Sequence, residues 1–205
     1  MAESAREGLL VDGAGAPLAE EDSGSIELLD GTSVAYHAIA PDNASALQRF
    51  HHRLSERSIY LRFFAAKPEL SDREAVYFTN LDKVNRFALV AVDPERPEEI
   101  VGVVSFDREG TTERAEYAAE VEDSWQGRGL GLALTRRLIG AAQKRDVRVF
   151  TAFVLPQNRG MLHLLTGLGL PERLRYEDGT DYVEIDLSPP QNTSDRTAET
   201  SGPYG

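Results

Sequence analysis

Ala115-Glu116-Tyr117-Ala118-Ala119-Glu120-Val121 runs into Glu122-Asp123-Ser124-Trp125, and Gln126-Gly127-Arg128-Gly129-Leu130-Gly131 follows at once. The first seven residues read as a strand. Glu116, Ala118 and Glu120 fall on one face, with Tyr117, Ala119 and Val121 on the other. The glycine-rich turn then opens a helix over 129–145. Leu130, Leu134, Leu138 and the Ala141-Ala142 pair recur there at helical spacing, with Arg136, Arg137, Lys144 and Arg145 on the polar side. A strand, a short loop and a glycine-rich helix start suit a pyrophosphate. Glycines let the backbone approach the anion, its amides point outward, and the helix N-terminus supplies positive potential. Arg128 adds a cation at the same place. There is no G-x-G-x-x-G and no Gly-Lys-Ser/Thr, so the turn is neither a dinucleotide-binding nor a P-loop signature.

Upstream, the segments 25–29 and 33–40 flank Asp30-Gly31 and read as a hairpin. Pro41-Asp42-Asn43 starts a helix to about residue 54, with Leu47, Phe50 and Leu54 on one face. The segment 55–64 is aromatic and basic. Ser71-Asp72-Arg73-Glu74 is a capping box opening a second helix. The runs 87–92 and 100–106 are β-branched or aromatic and read as adjacent strands, continued by 114–121. Downstream come a strand over 147–155, a short helix over 158–167, and two strands around a second Asp-Gly turn. Strands, helix, strand, helix and terminal hairpin imply an α+β fold with a mixed, mostly antiparallel sheet flanked by about four helices, not a doubly wound one.

The chain has 205 residues, 41% of them hydrophobic, enough for one domain with a sizeable core. Residues 1–24 lack aromatics and end in acids, and 188–205 are polar and Pro/Ser/Thr-rich. Neither stretch can bury enough apolar surface to offset its ordering entropy, so both read as disordered tails around a domain over 25–187. The chain has no cysteine, which excludes disulfides, zinc–thiolate sites and a cysteine nucleophile. No apolar run or leader pattern points to a membrane, so a cytoplasmic protein is expected. The net charge of −12 argues against nucleic acid as the main partner and favours cationic substrates. No metal is expected. His51 and His52 are adjacent on a helix, point apart, and read as surface residues; His163 reads as structural.

At these residues the sequence resembles the GNAT superfamily of N-acetyltransferases. The strand 115–121 with Trp125-Gln126-Gly127-Arg128-Gly129-Leu130-Gly131 is similar to its acetyl-CoA motif. The likeness continues through Val154-Leu155, Asn158, Met161 and Leu168-Gly169-Leu170. Leu54-Ser55-Glu56-Arg57-Ser58-Ile59-Tyr60-Leu61-Arg62-Phe63-Phe64 resembles the acceptor-side segment of the bacterial Pat-type protein-lysine acetyltransferases. The resemblance implies that the amides of Gln126, Gly127, Arg128, Gly129, Leu130 and Gly131 hold the pyrophosphate of acetyl-CoA. It implies that the strand splays near Val121 so that backbone groups bind the thioester and pantetheine arm, and that Asn158 contacts that arm.

An amine must lose a proton before it can attack. For a lysine of pKa ~10.4 this costs roughly 4–5 kcal/mol at pH 7, and a nearby carboxylate can accept the proton. Ala115-Glu116-Tyr117-Ala118 matches the family's Ala-Glu-aromatic-Ala stretch, whose Glu is the proposed base, so Glu116 is the candidate catalytic residue and Glu120 its rival. The family's usual proton-donating Tyr is replaced by Leu165, and no general acid is evident. Without cysteine, direct attack in a ternary complex is expected. Three functions fit: a protein-lysine acetyltransferase, a small-amine (polyamine or aminoglycoside) acetyltransferase, and a catalytically silent acyl-CoA-binding sensor.

Overall fold

The computed structural model describes residues 22–108 and 110–188. Eight strands form one sheet: β1 (Ser23–Glu27), β2 (Ser33–Ala38), β3 (Arg86–Val92), β4 (Ile100–Arg108), β5 (Arg114–Val121), β6 (Val149–Val154), β7 (Glu172–Glu177) and β8 (Thr180–Asp186). Their spatial order is β1-β2-β3-β4-β5-β6-β8-β7, and every pairing is antiparallel except β5 with β6. The helices are α1 (Ala44–Arg53), α2 (Glu56–Phe63), α3 (Asp72–Thr79), α4 (Leu130–Lys144) and α5 (Arg159–Thr166). The mixed α+β sheet is therefore as read from the sequence, but it carries five helices. The additional one is α2, a segment whose sequence reads only as aromatic and basic. None of the described helices is long and apolar enough to cross a membrane.

The alternation along the strands assigns each face its cover. Phe87, Leu89 and Ala91 of β3 lie in one core with Leu130, Leu134, Leu138, Ala141 and Ala142 of α4. Ala88 and Val90, the residues between, lie in the other with Leu47 and Phe50 of α1, Ile59 of α2 and Ala75 of α3. Under α4 an aromatic row crosses the central strands: Phe87–Phe106 at 5.9 Å, Phe106–Phe150 at 6.0 Å and Phe150–Tyr117 at 5.4 Å between ring centroids. This row, with the pairing of Arg114, Ala115 and Glu116 to Val149, Phe150 and Thr151, holds the start of β5 against β6. Beyond Glu116 the ladder stops, and the two strands separate.

Two sequence expectations change here. Composition places residues 22–24 in the N-terminal tail, yet β1 begins at Ser23, and the buried Asp22 carboxylate accepts hydrogen bonds from Arg145. The rest of that tail, and residues 189–205, lie outside the described residues. Arg145, which periodicity puts on the polar side of its helix, stacks over Phe87 at 3.9 Å and donates to the Lys83 carbonyl. Its aliphatic stem covers apolar surface while the guanidinium is fully occupied.

Candidate functional site

Where β5 and β6 part, a cleft of about 610 Å³ opens. Its walls are Tyr117–Val121 of β5 and Ala152–Val154 of β6. The first turn of α4, the first turns of α5, and Arg57, Ser58, Leu61 and Arg62 of α2 close it. Tyr117 holds α4 beneath the split. The Thr135 hydroxyl donates to the Gly131 carbonyl at 2.7 Å, so the Tyr117 hydroxyl donates to Thr135, also at 2.7 Å. Burial pushes the Tyr117 phenol well above its usual range.

The glycine-rich turn has the backbone that an anion cradle requires. Gly127 (φ 72°) and Gly129 (φ 87°) are left-handed, a region where a side chain is strained. At Gly127 a Cβ would meet nothing within 4 Å, so the backbone there is open to an incoming group. Gly129 caps α4, whose first amides have no helical partner. Gln126 ties the loop back, donating to the Val121 carbonyl at 2.9 Å and to the Ser58 hydroxyl at 3.4 Å. Leu130 is buried under the loop, and Gly131 sits where a Cβ would press Leu164 at 2.9 Å. Asn158 caps α5, its carboxamide oxygen accepting from the Met161 amide at 3.1 Å, and it lines the cleft.

Arg128 differs from expectation. Its guanidinium donates to Asp30 at 2.7 Å and to the Thr32 hydroxyl at 2.9 Å, and it stacks on Trp125 at 4.3 Å. Hydrogen bonding from Arg128 holds the Asp30 carboxyl down to about 2. The charge that the sequence offers to an incoming phosphate is thus committed to the β1–β2 turn. Arg128 contributes backbone to the loop and fixes the loop's position.

A second cavity of about 190 Å³ lies between the sheet and α1–α3. The two cavities share one wall, formed by Glu116, Ala118, Ala119 and Glu120 of β5 and Arg62 of α2. Glu116 is exposed on this wall and has no hydrogen bond or ion pair among the described residues. In register beside it stand Asp107 of β4 and Thr151 of β6. Glu120 is its opposite: Oε1 is shielded from solvent and accepts no hydrogen bond, and its nearest cation, Arg62 Nε, is 3.7 Å away. Burial raises its proton affinity, against the opposing charges of Arg62 and His51.

His51 is buried, not on the surface. It hydrogen-bonds the Lys67 carbonyl at 2.7 Å, meets Phe63 edge-on at 5.7 Å and lines the second cavity. His163 is exposed on α5 at the cleft. Leu165 is in the core.

α2 borders both cavities, and sequence reasoning missed it. Ser55 caps it, and Asp123 anchors that cap. The Asp123 carboxylate accepts from the Ser55 amide (2.9 Å), the Ser55 hydroxyl (2.7 Å) and the Ser58 hydroxyl (2.9 Å). Burial alone would raise the Asp123 pKa, but these donors outweigh it and the net shift is downward. Removing their acceptor with Asp123→Ala is expected to loosen α2 by about 1–3 kcal/mol. Thermal unfolding would read this as a lower Tm.

A sheet split beside a helix N-terminus that offers free amides, with an unpaired carboxylate on the wall toward a second cavity, suits a group transferase with an anionic donor. Comparison with known proteins carries this further. The acetyltransferase (GNAT) family matches residues 47–170. An acetyltransferase of Pseudomonas aeruginosa is 26% identical over 155 residues, 75% of this chain and 83% of that protein. The acetyltransferase Pat of Mycolicibacterium smegmatis is 31% identical over 137 residues, 66% of this chain but only 40% of that longer protein. Among solved structures, the GNAT domain of the S. lividans PAT protein superposes with a TM-score of 0.77 at 32% identity, covering 82% of this chain and 99% of that one. The chain belongs to the acetyltransferase (GNAT) family.

Proposed function

We propose that this protein transfers the acetyl group of acetyl-CoA to lysine side chains of proteins, by direct attack within a ternary complex. The observation that carries the reading is Glu116, unpaired on the wall shared by the two cavities. A donor in the cleft and an amine at the second cavity would meet on this stretch of β5, with the carboxylate beside them. The cleft fits the donor: the left-handed Gly127 leaves the backbone open for a pyrophosphate, and its length along β5 suits a pantetheine arm. Gly127, Arg128, Gly129, Leu130 and Gly131 would hold the phosphates through backbone amides, while the Gln126 amide donates to the Asp123 carbonyl at 3.3 Å, with Val121 and Asn158 along the arm. A fold neighbour of 16% identity, YncA of Salmonella typhimurium, was solved with acetyl-CoA and has the same architecture at a TM-score of 0.60. The likeness to PAT and the exposed, unpaired Glu116 carboxylate of the wall favour a lysine acceptor. The reading places the protein in the cytoplasm, where acetyl-CoA and its protein acceptors meet.

One observation favours a second reading. The second cavity reaches under α1 and α3 to Leu47 and Phe50 and has the volume of a short carbon chain, which suits a small amine with an apolar tail. Labelled acetyl-CoA offered separately to cell-extract proteins and to a panel of small amines decides between them. Label on protein lysines is expected. Label on small amines alone would overturn the protein-acceptor reading, and cofactor binding without transfer to either would make the chain an acyl-CoA sensor.

A further inference from the structure

The departing coenzyme A thiolate needs a proton, and the residue at which the family usually supplies it is Leu165, buried in the core against α4. The remaining donors along the cleft are few. The Tyr117 hydroxyl points into the core and is engaged by Thr135. The Ser58 hydroxyl is engaged by Asp123. His163 sits exposed on α5, on the side of the cleft away from the wall that carries Glu116.

Glu120 is different in kind. It belongs to the part of β5 that has left β6, the part that borders both cavities. On the strand face it shares with Glu116, only the small Ala118 stands between the two. Its Oε1 is closed to water and accepts no hydrogen bond, a state that costs an ionised carboxylate more than a carboxylic acid. Of the groups that face it, Arg62 on α2 and His51 on α1 oppose protonation. On β4 its neighbours are Val103, its register partner, and Ser105, both uncharged.

We propose that Glu120 holds a proton in the free enzyme and gives it to the leaving sulfur, so that two carboxyl groups on one strand face divide the proton traffic. The proposal rests on the acetyltransferase reading. The amine first passes its surplus proton to Glu116. Its nitrogen then bonds to the thioester carbonyl carbon, the carbon–sulfur bond breaks, and the electron pair leaves on sulfur, which takes the Glu120 proton. The extra proton on the new amide nitrogen refills Glu120. The products are the amide, the free thiol and one proton, released to solvent from Glu116.

The test uses the full chain, acetyl-CoA and a lysine-bearing peptide or whichever amine accepts label above. In the wild type, kcat is expected to fall as pH rises through the Glu120 pKa, because the acid form is the active one. Glu120→Gln is expected to lower kcat at least tenfold and to abolish that falling limb, with acetyl-CoA affinity within a few-fold of wild type. Glu120→Asp, which keeps a carboxyl, retains the limb at reduced rate. Arg62→Gln removes a nearby cation, so the limb moves to higher pH, an effect that a purely structural ion pair would not produce. Independently of turnover, infrared spectra of the ligand-free protein at neutral pH should show a protonated-carboxyl band that is absent from Glu120→Gln. A Glu120→Gln protein with the wild-type rate and pH profile, or a wild type without that band, overturns the assignment. If the wild type acetylates no amine at all, it is the acetyltransferase reading that fails, and the infrared band still reports on Glu120.

Discussion

Glu116→Gln is expected to lower kcat by about 10²–10⁴-fold while leaving the affinity for acetyl-CoA close to wild type. The reason is the amine. At pH 7 a lysine is almost wholly protonated, and the roughly 4–5 kcal/mol needed to expose its lone pair is what a positioned base removes from the barrier. Glu116, exposed, unpaired among the described residues and on the wall between the two cavities, is the base we propose. The glutamine keeps the size and most of the packing but cannot accept a proton. The variant's deficit relative to wild type should therefore shrink as pH rises and the amine deprotonates by itself, the two rates converging at the alkaline end. A variant with full activity at every pH would remove Glu116 from the mechanism.

Gly129→Val is expected to raise KM for acetyl-CoA by about 10–100-fold, equivalent to roughly 1.4–3 kcal/mol. Two costs add. A β-branched residue at φ 87° is strained by about 1–2 kcal/mol or more. Its Cβ would also lie 3.2 Å from Cγ of the exposed Leu29, whose side chain must shift aside. Relief of the backbone strain comes from rotating the peptide, and that turns the first amides of α4 away from the anion. Gly127→Ala is the matched control. Its φ is 72°, but a Cβ there meets nothing, so only the conformational cost remains and the rise in KM should stay below tenfold. Titration calorimetry with acetyl-CoA separates the two variants. Equal affinities would show that the loop adapts freely and that its shape is not what binds.

What the sequence made legible follows from how local each signal is. α4 was readable because Leu130, Leu134 and Leu138 repeat at helical spacing on a single buried stripe. α2 was not, because Ile59 is its only buried residue, so no buried stripe repeats along it. The signal that could have found it is Ser55 followed by Glu56, an N-cap and a first-turn acid. His51 was also recoverable. It stands four residues after Leu47 and three before Leu54, on the stripe that periodicity gives to the core. The partners of Arg128 were not recoverable: Asp30 is 98 residues away, and no periodicity connects a hairpin turn to a loop at the far end of the sheet. For the same reason the shared wall between the two cavities, and with it the different surroundings of Glu116 and Glu120, could be seen only in three dimensions.

The Asp30–Arg128 contact has a further meaning for how the loop behaves in the absence of any ligand. Leu29 donates its amide to the Arg128 carbonyl and rests its side chain over Gly129, while Asp30 and Thr32 grip the guanidinium. The loop is therefore ordered during folding, and its conformational entropy is surrendered before a donor arrives. On the proposed reading, the donor meets a socket already in shape. The rigidity comes from β1 and β2, which precede residue 47 and so lie outside the stretch that matches the family. The amide geometry falls within that matched stretch, but the brace that keeps it in shape is supplied by a hairpin outside it.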